Sequence, residues 1–232
     1  MIRFEQVCKR YSGSRKGWVL EDLDLEIPSG EMIFLLGASG AGKTTLLKLI
    51  TLEERPTEGS VSIHNFSSDT ITRRQIPELR RRCGVVYQDF RLIRDKTVEQ
   101  NIAYILQMTG VLDRAVLGKL TRQVLADVGL FPKRNDYPEE LSGGEQQRAA
   151  IARALVHQPS IVLADEPTGN LDQEMGYEIL QVLRRVNLAG ATVVVASHDH
   201  DLAMRFADRI VVLENGNVRS DQRLRSAKAY VL

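Results

Sequence analysis

Cysteine is scarce in this chain: Cys8 and Cys83 are the only two in 232 residues. Two are too few for a disulfide framework, and they fit reduced thiols in a cytosolic protein. Long apolar runs are missing as well. Met32 to Leu36 and Ile161 to Ala164, among the longest, have the length of a strand, against the roughly 20 apolar residues that cross a bilayer. The opening Met-Ile-Arg-Phe-Glu lacks the apolar centre of a secretion signal. The expectation is a chain that stays where it is made and that another protein must hold if it acts at a membrane. Charge of one sign is also missing. Lys and Arg number 31 against 30 Asp and Glu, a net charge of +1 that gives no broad attraction to nucleic acid. No repeat, low-complexity stretch or long heptad run occurs, which argues against an extended coiled coil.

What is present is an ordinary globular composition, 43% hydrophobic and 26% charged, in a chain long enough to bury most of its apolar surface. Met32 to Leu36, Ile161 to Ala164 and Thr192 to Ala196 are apolar runs typical of strands buried on both faces. Lys43 to Ile50 carries Leu46, Leu49 and Ile50 at helical spacing, and Met175 to Asn187 sets Ile179, Val182, Leu183 and Val186 on one face. Strand, helix, strand in that order predicts a parallel sheet with helical crossovers. Val61 and Ile63 alternate with polar neighbours, as in a half-buried strand after a turn at Glu58-Gly59. Arg209 to Val218, interrupted by Asn215-Gly216, reads as a hairpin. From about Asp89 to Gln158 the period is helical, with breaks at Gly110, Gly129 to Pro132 and Pro138. The expected organisation is one composite α/β domain over 1–232, with a core of about 1–88 and 159–232 and a helical insertion of about 89–158.

Three segments carry chemistry. Gly37-Ala38-Ser39-Gly40-Ala41-Gly42-Lys43-Thr44 satisfies the phosphate-loop pattern G-x-x-x-x-G-K-[ST] between a strand and a helix. Its glycines let backbone N–H groups turn toward phosphate oxygens, and the helix N-terminus adds positive potential. Lys43 would reach the β- and γ-phosphates and Thr44 would ligate Mg2+. Asp165 and Glu166 close an apolar strand at the end where open parallel sheets bind ligands. Beside a phosphate loop, Asp165 can hold Mg2+ and Glu166 can deprotonate a water, although two acids at a strand end also start many solvated loops. Leu141-Ser142-Gly143-Gly144-Glu145 combines a capping box, Ser142 with Glu145, and two adjacent glycines. It reads as a plain helix start or as a second anion site. Asp199 and His200 read as a solvated helix start.

The ordered set of phosphate loop, Gln88, Leu-Ser-Gly-Gly-Glu-Gln (141–146), Asp165-Glu166 and His198 resembles the ATPase family of ABC transporters over essentially the whole chain. The resemblance implies a P-loop NTPase fold, with a RecA-like core, a small antiparallel β subdomain and an inserted α-helical subdomain. It implies ATP and Mg2+ as cofactors and ATP hydrolysis as the activity. Catalysis would fall to Glu166, His198, Lys43 and Gln88, and the metal to Thr44, Gln88 and Asp165. Nucleotide would be bound by Tyr11, stacked on adenine, by Gly37 to Thr45 (with Ala38, Ser39, Gly40, Ala41, Gly42, Lys43 and Thr44 between), and by Ser142, Gly143, Gly144 and Glu145. ATP would draw two chains into a head-to-tail homodimer, each nucleotide lying between one phosphate loop and the other chain's Ser142-Gly143-Gly144. Leu171-Asp172 would lie in the loop that crosses between them.

Asp165 to Asp172 resembles the branch that holds lipoprotein-releasing, macrolide-efflux and cell-division ATPases. Tyr87-Gln88-Asp89-Phe90-Arg91-Leu92 is similar to the FtsE-type cell-division family. That likeness implies an integral membrane partner of the FtsX type, a peripheral bacterial protein on the cytoplasmic face of the inner membrane, and activation of peptidoglycan hydrolysis. A lipoprotein or macrolide export complex would use the same catalytic residues. No nucleic-acid partner is expected. Phe90, Leu92 and Ile93, flanked by Arg91 and Arg94, are expected to meet the membrane partner, unless Phe90 and Leu92 pack inside.

Overall fold

The computed structural model describes residues 1–11, 17–169 and 171–224. The strands β1 (Ile2–Lys9), β2 (Leu20–Ile27) and β3 (Met32–Leu36) precede helix α1 (Lys43–Ile50). Then come β4 (Glu58–Ile63), β5 (Phe66–Ser67), α2 (Ile76–Arg81) and β6 (Cys83–Val86). Helices α3 (Val98–Met108), α4 (Arg114–Asp127) and α5 (Gly143–Leu155) follow without a strand between them. The chain ends its described part with β7 (Ile161–Asp165), α6 (Gln173–Leu188), β8 (Thr192–Ser197), α7 (His200–Phe206), β9 (Arg209–Glu214) and β10 (Asn217–Arg223).

Six strands form one sheet in the order β10-β9-β3-β8-β7-β6. The pairs β9-β3, β3-β8, β8-β7 and β7-β6 are parallel, and β10 closes the edge antiparallel to β9. Successive side chains on a strand face opposite ways, so a continuous apolar run supplies two cores at once. Phe34, Val195, Val162 and Ala164 join one core with α3 to α7. Leu35, Val194, Ile161 and Leu163 join the other with α1 and the smaller sheet. That smaller sheet is antiparallel, in the order β2-β1-β4-β5.

The turn expected at Glu58-Gly59 is instead strand. Gly59 lies inside β4 at φ +74°, where a Cβ would overlap the carbonyl oxygens of Glu5 and Gln6. The pairing of β1 with β4 shifts register between Glu5 and Cys8, so the glycine serves a bulge. In the helical segment the first helix begins only at Val98. The preceding loop is stitched by the Asn101 amide, whose Oδ1 accepts from Ile93 N at 2.8 Å and whose Nδ2 donates to Ile93, Lys96 and Thr97 carbonyls at 3.0 Å. Side chains cap all three helices: Thr97 and Ser142 in capping boxes, Asp113 alone. Cys8 and Cys83 are both free thiols, and burial pushes the Cys83 thiol up to about 12.

Candidate functional site at the carboxyl end of the parallel sheet

The loop from β3 to α1 and the residues after β7 and β8 converge at one end of the sheet. The loop needs glycine where it turns. Gly40 sits at φ +84° and Gly42 at φ +104°, in the left-handed region that other residues enter at a cost. A Cβ on Gly42 would also lie 2.6 Å from Leu20 Cδ2 and 3.0 Å from Val19 O. Gly42 caps α1 with no side chain, so the first-turn amides point into the loop, where the helix dipole favours an anion.

Lys43 is buried, and its Nζ donates to Gly37 O at 2.7 Å and Ala38 O at 3.3 Å. The same ammonium lies 3.5 Å from Glu166 Oε1. Glu166 follows β7 with φ +47°, and its N–H donates to Ala196 O at 2.9 Å, so the adjacent strand fixes the turn. Its other oxygen, Oε2, lies 2.9 Å from Nδ1 of the exposed His198. One carboxylate thus joins the lysine of the phosphate loop to the histidine after β8. Asp165 is half-buried beside it. Burial pushes its carboxyl above the ordinary aspartate range, partly offset by a hydrogen bond from the Thr44 hydroxyl and by the Lys43 charge.

Ser39 to Thr45, Gln88, Asp165, Glu166 and His198 line one cavity of about 570 Å³. Its wall also includes Val19, which the sequence does not mark, and Gly169, which lies within the Asp165 to Asp172 stretch but has no expected role at the cavity. Gly37 and Ala38 line a neighbouring cavity of about 610 Å³ with His198 and the β9-β10 hairpin. Tyr11 lines neither. It meets the site through its hydroxyl, 3.3 Å from Thr45 Oγ1, and Lys9 Nζ lies 4.9 Å from its ring centroid. Thr44, Gln88 and Asp165 offer a hydroxyl, an amide and a carboxylate oxygen, donors that suit a hard cation such as Mg2+ with water and phosphate completing its shell.

Ser142 to Glu145 stand apart from these cavities. Ser142 caps α5, and Glu145 Oε2 accepts from Ser142 N and Oγ, both at 2.8 Å. Those bonds hold the Glu145 carboxyl below the usual glutamate range. Gly144 is buried against Met175, whereas Gly143 is exposed, with no atom of the described residues within 4 Å of where its Cβ would stand. Asp172 caps α6, accepting from Met175 N at 2.9 Å; Asn170, two residues earlier, lies outside the described residues. Asp199 caps α7 as expected. Of the expected partner surface, Phe90, Leu92 and Ile93 are each half-buried and Leu92 packs on the core. Arg91 lies over the Tyr87 ring at 3.8 Å and pairs with Asp89 at 3.1 Å.

Residues 20–169 match the profile of the ABC transporter family. The cell division ATP-binding protein FtsE of Mycobacterium tuberculosis is 44% identical over 96% of both chains. The FtsE proteins of Bacillus subtilis and Escherichia coli are 40% and 42% identical, covering 96% and 94% of this chain and 96% and 97% of theirs. Among solved structures, a dimeric ATP-binding cassette in a post-hydrolysis state with ADP and Pi superposes with a TM-score of 0.90 at 36% identity, covering 97% of this chain and 100% of that one. A Clostridium perfringens subunit of an ABC transporter complex, cbiO1, gives 0.86 at 27% identity, over 96% of this chain and 88% of its own. The chain therefore belongs to the ABC transporter family, as an ATP-hydrolysing subunit of the FtsE type.

Proposed function

We propose that Glu166 is the general base for ATP hydrolysis and that the observation carrying this role is its carboxylate, set between Lys43 and His198 at the mouth of the phosphate loop. ATP lies with its β- and γ-phosphates on the amides of Gly37 to Thr45, and the Lys43 ammonium turns from Glu166 to the phosphate oxygens. Glu166 then orients a water toward the γ-phosphorus and takes its proton, while His198 holds the other carboxylate oxygen and the γ-phosphate edge. Thr44, Asp165 and Gln88 would hold Mg2+, which would supply neutralisation of phosphate charge. Tyr11 stacks on adenine. Ser142, Gly143, Gly144 and Glu145 close over the nucleotide of a second copy, so that the working unit is an ATP-bound homodimer.

The membrane partner is an integral protein of the FtsX type, which places this subunit at the cytoplasmic face of a bacterial inner membrane. The cycle of dimer closure drives that partner to activate peptidoglycan hydrolysis. Among the described residues no helix is long and apolar enough to cross a membrane, in keeping with attachment through a partner. The decisive experiment is Glu166→Gln, which keeps shape and removes the base. Turnover should fall by about 10² to 10⁴, while equilibrium titration shows ATP bound as in the parent. Turnover near the parental rate would remove Glu166 from this role.

A further inference from the structure

Helix α5 grips β6 and the loop after it at three successive points. His157, just past the helix, sets Nε2 3.3 Å from Cys83 O. At Gly84 the two backbones meet so closely that a Cβ would overlap the carbonyl oxygen of Ala154. The third point is the buried Arg153, whose guanidinium donates to Phe90 O at 2.8 Å and to Arg91 O. Those two carbonyls follow each other on residues in the left-handed region, Phe90 at φ 57° and Arg91 at φ 50°. Neither is glycine, so nothing in their own chemistry favours this turn. A planar fork sets its donors on the two adjacent carbonyls in one fixed geometry, whereas an ammonium on a flexible stem fixes them less rigidly.

We infer that Arg153 is a positioning residue that fixes the turn after Gln88 to α5, so that Gln88 and Ser142-Gly143-Gly144 move as one body. Gln88 lies two residues before Phe90 and lines the nucleotide cavity, and Ser142 caps the far end of α5. A change at the cavity that shifts Gln88 is thereby delivered to the residues proposed to close on the second nucleotide. The turn also presents Arg91 to the Tyr87 ring. The inference rests on the proposed role of Gln88 in turnover.

The test is a double-mutant cycle of Arg153→Met with Gln88→Ala, read as ATPase kinetics and as amide exchange. If Arg153 acts through Gln88, Arg153→Met lowers kcat by about ten- to hundredfold, as loss of a group that orients a metal contact does. KM for ATP stays within about twofold, because the phosphate loop is untouched. In the Gln88→Ala background the same change costs little more. Amides of Phe90 and Arg91 exchange faster in Arg153→Met while those of α1 keep their protection. Arg153→Lys, which keeps the charge, should fall between parent and Arg153→Met and serves if the methionine variant does not fold. Multiplying losses, or unchanged exchange at Phe90 and Arg91, would overturn the inference. Parental turnover in Gln88→Ala alone would instead overturn the role of Gln88, and the exchange arm would still decide whether Arg153 holds the turn.

Discussion

Tyr11 meets the phosphate loop through its hydroxyl on Thr45, and the Lys9 ammonium lies near one face of its ring. An adenine would take the opposite face. Stacking of a base on an aromatic side chain is worth about 1–3 kcal/mol in nucleic-acid complexes, so Tyr11→Ala should weaken ATP binding roughly tenfold or more. Tyr11→Phe keeps the ring and loses only the long hydroxyl contact to Thr45, so its affinity should stay near the parent. Isothermal titration of both variants checks the pair; equal affinity in parent and Tyr11→Ala would put adenine elsewhere. At this scale the phosphate loop was legible because its chemistry lies in eight consecutive residues, Gly37 to Thr44. Asp165 and Glu166 could be singled out because they end a recognisable apolar strand beside a phosphate loop, whereas His198 drew its expected role only from the family resemblance. Val19 and Gly169 were not singled out. Val19 gains its place only when the start of β2 folds onto Gly42, and Gly169 when its N–H donates to Glu166 O at 3.1 Å. Arg153 was missed for a similar reason: its partners are carbonyls about sixty residues away, which carry no side-chain signature.

Among the elements, the parallel strands β3, β7 and β8 were read well because an apolar run buried on both faces is a local property, whereas β1 and β2 of the smaller sheet, with polar residues between their buried ones, were not assigned from their residues. The loop before α3 was harder. Its shape is set by Asn101, which from inside the following helix holds three carbonyls and one amide of residues 93–97. Gly59 misled in another way, since the glycine that marks a turn also marks a bulge. Gly84 is the third case and makes a testable contrast. A Cβ there would meet Ala154 O and lie 2.8 Å from Pro159 Cγ, and backbone cannot yield as a side chain does. Gly84→Ala should therefore destabilise the fold by about 1–3 kcal/mol, the cost of overpacking. Denaturant unfolding would show it as a lower midpoint with unchanged slope. An unchanged midpoint would mean that α5 and β6 are not in tight contact.

For the whole molecule, the two proposed halves of the nucleotide site lie apart on one chain. The phosphate loop, Glu166 and His198 gather around one cavity, and the exposed Gly143 stands away from it at the tip of α5. Among the described residues of a single copy nothing explains why Gly143 is glycine, because none is near its Cβ position and its φ is not positive. A second copy can, if its nucleotide must approach that backbone closely. Gly143→Ala should then leave thermal stability unchanged and lower turnover. Mixing makes the argument sharper. Gly143→Ala keeps a sound phosphate loop and Glu166, while Glu166→Gln keeps a sound α5 tip. In a head-to-tail mixed dimer, one site joins the intact half of each variant and the other joins both damaged halves. Random pairing of equal amounts makes half the dimers mixed, each with one complete site, so turnover should recover to roughly a quarter of the parent if the sites act independently. If each site were built within one chain, no mixture would contain a sound one. Turnover in the mixture no greater than the mean of the two separate variants would therefore rule out the shared site.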